Sequence, residues 1–440
     1  MNKPNILYIH SHDTGRYIQP YGHAIGTPRL QQLAAEGVLF RQNFCVNPTC
    51  SASRAALLTG CYPHENGMVG LAHRGFALHD YGQHLVHTLR GAGYVSALAG
   101  IQHIARGEEA HKIIGYDRRL ARDRAEAHTK AADFLEDAPD EPFFLSVGFA
   151  ETHRAFPAEH PRDDSRYCLP PAPLPDTPET REDMARFKES ARILDDKIGT
   201  VLEALERNGL ADRTLVICTT DHGTAFPRMK CNLHDSGTGT MLIMRGPGGF
   251  TGGKVIDAMT THLDIFPTIC ELLGIAPPAW LRGKSLMPLV RGETGQIHEK
   301  LFFEVNYHAA YEPMRAVRTE RWKYVRRFGE RSTPILVNCD DGESKSVWLD
   351  HGWQSRPLEK ELLFDLVFDP NETNNLVGAA AAEPILQGMR ECLRSWMEET
   401  RDPLLRGDVP APEEAVANSP DAVSWVTDKV KPIRPPGRDG

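Results

Sequence analysis

The sequence predicts an α/β protein in which a mostly parallel sheet is flanked by helices and a smaller antiparallel α+β domain follows. Two patterns support this prediction. Before about residue 300, short apolar runs alternate with helical patterns, which is typical of βαβ units. Beyond that point the apolar runs become hairpin-like and end in one helical pattern. We therefore expect domains at residues 1–300 and 301–405, followed by an extended Pro-rich tail at 406–440.

Individual elements of the first domain are predicted from residue type and spacing. A helix is expected over residues 27–36, where Pro28 suits the first turn and Gly37 suits the end. Thr27 precedes this helix as its predicted N-cap. A long polar helix is expected over residues 179–207. The predicted strands of this domain are 5–10, 94–99, 142–149, 214–219 and 241–244.

The second domain is predicted from three strand-like runs and a final helix near residues 383–398. The strand-like runs are 301–305, 314–319 and 322–327. A Pro-rich segment at 169–178 is typical of a surface connection. The tail that starts at Arg406 is a candidate arm onto a second subunit, so a homo-oligomer is a further expectation.

Composition limits the classes of partner and the compartment. The chain has 440 residues, of which 41% are hydrophobic and 25% charged, so it can bury a sizeable core. A net charge of −9 gives no overall basic field, so neither nucleic acid nor an anionic membrane is an expected partner. The chain enters a strand pattern at once, without an apolar signal core, which predicts a cytoplasmic location. Nine cysteines without a framework spacing fit a reducing compartment, and no structural disulfide is expected.

Two pairs of carboxylate and imidazole side chains follow predicted strands. His12 and Asp13 follow the first strand, and Asp221 and His222 follow the strand at 214–219. Ligands in open α/β sheets collect beyond the carboxyl ends of the strands, so the two pairs predict one divalent cation site. For a single pair, turn formation by the Asp beside a surface His would be the commoner explanation. Two such pairs favour the metal.

Residues 50–60 carry the most specific motif of the chain, Cys-Ser-Ala-Ser-Arg-Ala-Ala-Leu-Leu-Thr-Gly. If Cys50 begins a helix, the helix N-terminus would stabilise a bound anion, and Arg54 would lie one turn on along the same face. The alternative for Cys50 is a small buried hydrophobic residue. The segment resembles the type I sulfatase signature, C-x-[PA]-S-R-x-x-x-[LM]-T-G, although Ala52 replaces the more frequent Pro.

The resemblance to type I sulfatases, members of the alkaline phosphatase superfamily, extends over nearly the whole chain. Within that family the chain is most similar to the heparan N-sulfatase (sulfamidase) branch. The motifs that carry this similarity include Asn-Gly-Met-Val-Gly-Leu at 66–71, Thr-His-Arg at 152–154 and Asp-Pro-Asn-Glu-Thr-Asn-Asn-Leu at 369–376. The resemblance implies the alkaline-phosphatase/sulfatase-like fold, with the catalytic domain at 1–300. It also implies hydrolysis of a sulfate ester or sulfamate, with a sulfated sugar and glycosaminoglycan degradation as the expected context.

The same resemblance implies the cofactors. A maturation enzyme would oxidise Cys50 to formylglycine, whose hydrate offers one hydroxyl to attack sulfur and a second whose deprotonation expels the product. Asp13, Asp221 and the modified Cys50 match metal positions of the family, whereas His12 replaces an Asp and His222 an Asn. Calcium is the family's metal, but imidazole donors favour manganese or zinc, so the ion stays open. Whether His12 is a ligand is open too, because neighbouring side chains at a strand end point to opposite faces.

Catalytic roles are carried over by position. Arg54 would hold the diol, and His103 would deprotonate its second hydroxyl. His153 would protonate or contact the leaving group, and Lys230 would touch the sulfate oxygens. The chain departs from the family at Ile101, where a sulfate-binding Lys usually stands. We expect the sugar-facing loops within residues 64–79 and 153–182.

Three other functions stay open at this level. A phosphonate monoester or phosphodiester hydrolase of the same superfamily is favoured by His222 and Ile101. A zinc site with an unmodified Cys50 is a second alternative, and a catalytically silent sulfatase-like binding protein is a third. For the sulfatase, the expected partners are a small sulfated saccharide and a formylglycine-generating enzyme.

Overall fold

The computed structural model describes residues 3–121, 123–157 and 162–433. Its strands are β1 (Asn5–Ser11), β2 (Val38–Phe44), β3 (Val95–Gly100), β4 (Arg118–Arg119), β5 (Phe143–Gly148), β6 (Thr214–Thr220), β7 (Gly239–Thr240), β8 (Leu242–Arg245), β9 (Lys254–Thr261), β10 (Leu301–Tyr307), β11 (Tyr311–Arg318), β12 (Trp322–Arg327), β13 (Glu361–Asp365), β14 (Val416–Ala417) and β15 (Lys431–Pro432). Its α-helices are α1 (Pro28–Glu36), α2 (Cys50–Thr59), α3 (Pro63–Asn66), α4 (Leu85–Gly91), α5 (Ala110–Ile114), α6 (Ala127–Glu136), α7 (Pro178–Arg207), α8 (Asp235–Thr238), α9 (Ile265–Leu273), α10 (Met287–Val290), α11 (Glu343–Asp350) and α12 (Glu383–Glu399).

Strands β1 to β9 form one large sheet within the described ranges, in the order β4-β3-β5-β1-β6-β8-β2-β7, and β9 pairs with β2. β1 lies at its centre, parallel to both β5 and β6. Alternate side chains of β1 point to opposite faces: Ile6 and Tyr8 enter one apolar core, and Leu7 and Ile9 enter another. Helices cover both faces, so every residue of this strand is buried. The predicted fold class is confirmed.

Each of the five strands predicted for this sheet matches an observed strand to within one residue at each end. It also placed α1, where Thr27 stands at the N-cap, and the 30-residue helix α7. β2 and β9 were not predicted. Both strands mix buried and exposed positions. β2 contains three charged or amide residues, and β9 contains one Lys and one Asp. Neither strand therefore shows the apolar run from which the other strands were predicted.

The smaller sheet is antiparallel, in the order β10-β11-β12-β13. The three predicted strands correspond to β10, β11 and β12, although β11 starts at Tyr311, three residues earlier than predicted. Helix α12 packs Leu386, Leu393 and Trp396 against this sheet. The domain limits 1–300, 301–405 and 406–440 themselves stay a prediction.

The described part of the tail, up to residue 433, lies against its own chain. Val409 and Ala415 are buried in the core beside the large sheet. The backbone N–H of Asn418 donates to the carbonyl of Ala309 over 2.8 Å, and β14 pairs with β15. A contact of this tail with a second subunit stays a prediction, and residues 434–440 lie outside the described ranges.

Two further features concern the cysteines and the hydrophobicity of the helices. All nine cysteines are free. Among the residues that the structure describes, no helix combines the length and the apolar character needed to cross a membrane.

Candidate active site

The two predicted Asp/His pairs meet at one edge of the large sheet. β1 and β6 are parallel neighbours in which Ser11 pairs with Thr220, so the residues that follow each strand leave the sheet side by side. The backbone N–H of Asp13 donates to Oδ1 of Asp221 over 2.8 Å. This bond joins the two strand ends directly.

A local backbone change turns His12 and Asp13 into the same space. Asp13 has a φ of 53°, in the left-handed region that non-glycine residues seldom occupy. The alternation of the strand is therefore broken after Ser11. Nδ1 of His12 lies 2.6 Å from Oδ1 of Asp13 and 3.2 Å from Oδ2 of Asp221. The sequence left the direction of His12 open, and the structure places its ring beside both carboxylates.

Cys50 begins helix α2 and is buried. Its Sγ lies 3.5 Å from Nε2 of His222. Nδ1 of His222 donates to the carbonyl oxygen of Gly223 over 2.9 Å, and its Nε2 faces Cys50. Burial, with Asp13 and Asp221 nearby, raises the pKa of the Cys50 thiol well above its usual value, so an unmodified side chain keeps its proton.

Arg54 lies one helical turn after Cys50 and is 2% exposed. It donates to Oδ2 of Asp221 and to the carbonyl of Ser11, both over 2.9 Å, and also contacts the His10 ring. Its guanidinium therefore stands between the helix and the two strand ends.

Five side chains form what we call the catalytic cluster, and their ligand atoms all lie within 4.8 Å of one another. They are His12, Asp13, Cys50, Asp221 and His222. Burial lowers the pKa of His12 to about 4, so its imidazole is neutral and has a lone pair. Burial opposes ionisation of Asp13, but Lys230 and the neighbouring imidazoles outweigh it and hold the pKa well below the usual value. Two carboxylates and two imidazoles are a donor set that fits a divalent cation.

Lys230 connects this cluster to the space in front of it. Its Nζ lies 2.8 Å from Oδ2 of Asp13, 2.9 Å from Oδ2 of Asp340 and 3.4 Å from Nε2 of His153. The His153 ring packs edge-on against His12, with 4.5 Å between ring centroids. Both residues that the resemblance assigned to the sulfate and the leaving group are thus at the cluster.

His103 lies on the other side of His12, with 5.7 Å between the ring centroids. Its Nε2 is 3.3 Å from Nδ1 of His73, and the two rings are stacked. Burial lowers the pKa of His103 well below the usual value, with His12 and Arg54 acting in the same direction. His103 is therefore a neutral imidazole that can accept a proton.

A cavity of about 910 Å³ opens onto the catalytic cluster. His12, Cys50, His103, His153 and Lys230 all line it. The predicted loop 64–79 contributes Leu71, His73 and Arg74, and the predicted segment 153–182 contributes residues 153–155 and 157. Residues 158–161 of that segment lie outside the described ranges.

Sequence reasoning missed several residues on the cavity wall, among them His308, Asp340 and Trp425. Asp340 stands in an Asp-Asp-Gly run, which is typical of an exposed turn, and Trp425 stands in the tail. Neither had a local signal of function. Ile101, where the family has a Lys, lines the cavity as well.

Comparison with known proteins identifies the family of the chain. The model of the Sulfatase family matches residues 4–275, which is more than half of the chain, and the chain belongs to that family. The model of the C-terminal part of N-sulphoglucosamine sulphohydrolase matches residues 228–355. The predicted class of enzyme, a sulfuric ester hydrolase, is confirmed.

Several relatives are similar over most of their length. The N-sulphoglucosamine sulphohydrolase of Homo sapiens is 29% identical over 465 residues, covering 91% of this chain and 91% of that protein. A solved structure in complex with its substrate, D-glucosamine-2-N,6-O-disulfate, has a TM-score of 0.69 at 18% identity, covering 93% of this chain and 100% of the other. The phosphonate monoester hydrolase of Silicibacter pomeroyi has a TM-score of 0.70 at 19% identity, with 93% and 100% covered. Both structural likenesses concern the fold alone.

Proposed function

We propose that the protein hydrolyses a sulfamate or sulfate ester on a small sugar, using a formylglycine at residue 50 and one divalent cation. One observation carries this proposal: Cys50 begins a helix directly against the two Asp/His pairs at the strand ends. The names of the human sulphohydrolase and of the glucosamine disulfate complex support a sulfated aminosugar as the substrate class. Glycosaminoglycan fragments, a cytoplasmic location and a formylglycine-generating enzyme as partner belong to the same proposal.

The residues present fit both groups. His12, Asp13, Asp221, His222 and the side chain at residue 50 would hold the cation, which supplies Lewis-acid polarisation of the sulfuryl oxygens. Imidazole nitrogens suit manganese or zinc better than calcium, which prefers six to eight oxygens. We therefore propose manganese or zinc, against calcium as the family expectation. A hydrated formylglycine supplies a hydroxyl nucleophile at residue 50.

The other residues divide the remaining tasks. Arg54 holds negative charge between the cation and the start of α2. Lys230, buried beside Asp13, offers its ammonium to the sulfuryl oxygens. His153 is half-exposed to the cavity and donates a proton to the departing atom. His103, neutral and next to His73, accepts the proton whose removal releases sulfate.

A second candidate is a phosphonate monoester or phosphodiester hydrolase. Two observations favour it: His222 in place of Asn, and Ile101 on the cavity wall in place of a sulfate-binding Lys. The fold does not separate the two reactions, since both kinds of structure are equally similar to this one.

The test is a panel of substrates for the purified, matured protein. Glucosamine N-sulfate, glucosamine 6-sulfate, an aryl sulfate, a phosphonate monoester and a phosphodiester are compared by kcat/KM, each with Cys50→Ala as the blank. We expect at least one sulfated sugar to exceed both phosphorus substrates by about a hundredfold or more. Faster turnover of a phosphonate would replace the proposal by the second candidate, and turnover of none by matured protein would point to a silent homologue. Activity without modification of residue 50 would point to the zinc-bound thiol.

A further inference from the structure

Asp340 lies on the cavity wall, and its carboxylate has no role in the reaction proposed above. Only 6% of the residue is exposed. Its Oδ2 forms an ion pair with Nζ of Lys230 over 2.9 Å and has no hydrogen bond from another described residue. Asp340 also lines the cavity, so its carboxylate can accept a further hydrogen bond from a ligand bound there.

The position of Asp340 places that acceptor beside the leaving group. Lys230 Nζ lies within 3.4 Å of His153 Nε2 and 2.9 Å of Asp340 Oδ2. If Lys230 contacts the sulfuryl oxygens and His153 the departing atom, Asp340 lies next to the bond that breaks. Burial alone would favour a neutral Asp340, but Lys230 outweighs burial and lowers its pKa to about 2. The side chain is therefore ionised and can only accept hydrogen bonds.

Sulfamates and sulfate esters differ at that departing atom. The nitrogen of a sulfamate carries a hydrogen, whereas the bridging oxygen of an ester carries none. With an ester, the ionised carboxylate would face the ester oxygen, and both groups are hydrogen-bond acceptors. Both would lose their hydrogen bonds to water on binding, and no new hydrogen bond would replace them. We propose that Asp340 accepts a hydrogen bond from the N–H of a bound sulfamate. This contact makes the site select sulfamates over sulfate esters. The inference rests on the proposed function.

The bond changes are consistent with this role. The hydroxyl at residue 50 would lose its proton to water as its oxygen bonds to sulfur, and the S–N bond would break with its electron pair staying on nitrogen. His153 gives that nitrogen a proton, so a primary amine leaves. Asp340 exchanges no proton and keeps its hydrogen bond to the original N–H throughout.

The competing role for Asp340 is structural, namely holding Lys230 in place. In that case removal of the carboxylate would lower kcat/KM equally for both classes of substrate, because Lys230 contacts the sulfuryl group that both contain. The ratio of the two activities therefore separates the roles.

The experiment compares kcat/KM for glucosamine N-sulfate, its N-methyl derivative and glucosamine 6-sulfate. The proteins are the matured wild type, Asp340→Asn and the control Asp350→Asn, which changes an exposed carboxylate at the end of α11. We expect Asp340→Asn to lower the ratio of N-sulfate to 6-sulfate turnover at least tenfold. The wild type should reject the N-methyl compound by about a hundredfold or more, because the buried acceptor then stays unpaired. Equal loss on both sulfated sugars, or ready turnover of the N-methyl compound by wild type, would overturn the inference.

A binding measurement makes the test independent of turnover and maturation. In a Cys50→Ala background, calorimetry should show tighter binding of the N-sulfate than of the 6-sulfate, and Asp340→Asn should remove most of that difference. If wild type hydrolyses none of the three compounds, the proposed function fails and this binding ratio still decides the role of Asp340. If wild type is active but neither ratio depends on Asp340, the inference alone fails. The thermal midpoint of Asp340→Asn, compared with that of Asp350→Asn, shows whether the variant is folded.

Discussion

Among the residues that the structure describes, two groups of side chains combine histidine with carboxylates at distances that suit a metal. One is the catalytic cluster. The other, here the second cluster, consists of His64, Glu304 and Asp402. In the second cluster Arg315 donates two hydrogen bonds to Asp402, with its Nη2 2.9 Å from Oδ1 and its Nε 2.5 Å from Oδ2, and the His64 ring bonds to Glu304.

The two clusters differ in the direction in which the pKa of His12 and that of His64 are shifted. In the catalytic cluster burial lowers the pKa of His12 to about 4, and the neutral ring keeps a lone pair. At His64 burial acts in the same direction, but Glu304 outweighs it and raises the pKa. A protonated imidazole has no lone pair for a metal. The second cluster also contributes no residue to the cavity wall at the active site, as far as the structure describes the chain. The same residue types thus form a reactive centre in one place and a link between α3 and β10 in the other.

The sharpest way to break the catalytic cluster is Cys50→Ala. Because residue 50 supplies the nucleophile in this account, kcat/KM for the best substrate should fall by about 10⁴-fold or more. The thermal midpoint should change little by comparison. The matched control is Cys392→Ala on α12, which packs near the small sheet and should keep its activity. Substantial turnover by Cys50→Ala would mean that the nucleophile has been misassigned.

The metal preference of the catalytic cluster is tested by His222→Asn. This change replaces an imidazole nitrogen by an amide oxygen, so affinity for manganese or zinc should fall about tenfold or more while calcium loses less. Metal-depleted protein is titrated with each ion, and bound metal is measured together with activity. His351→Asn, at the end of α11, is the control. Unchanged manganese and zinc affinity would remove His222 from the ligand set.

The second cluster should affect stability and not the chemistry. His64→Gln is expected to lower the thermal midpoint by several degrees with kcat near wild type, because it breaks a buried pair. The pKa of His64 is raised above its unfolded value of 6.5, so the stabilisation is fully present below pH 6.5 and is lost as the pH rises through the folded pKa. Thermal midpoints of the variant and the wild type should therefore differ most near pH 6 and converge at higher pH. A gap that widens with pH would contradict this protonation state.

Local patterns were enough to predict the frame of the active site. Strands β1 and β6 are short apolar runs, and the residues after a parallel strand must leave the sheet at its carboxyl end. The motif at residues 50–60 identified Cys50 and Arg54 as candidate site residues. These features are encoded within a few neighbouring residues.

The rest depends on contacts between distant segments. His12 lies beside the carboxylates of Asp13 and Asp221, and this direction of its side chain could not be read from the strand pattern. Asp340 reaches Lys230 only because the smaller sheet packs against the large one, and its own sequence context is that of an ordinary turn. The stacking of His73 on His103 likewise joins two loops. Single-sequence patterns carry no information about such pairings.

The central claim is that residue 50 is a formylglycine in a metal-dependent sulfatase. It is tested most directly by the mass of the tryptic peptide 42–54 from protein produced with a formylglycine-generating enzyme. The account predicts a peptide lighter by the difference between a CH₂SH and a CHO group at residue 50, with Cys45 in the same peptide unchanged. An intact thiol at residue 50 in protein that nevertheless hydrolyses sulfated sugars would contradict it.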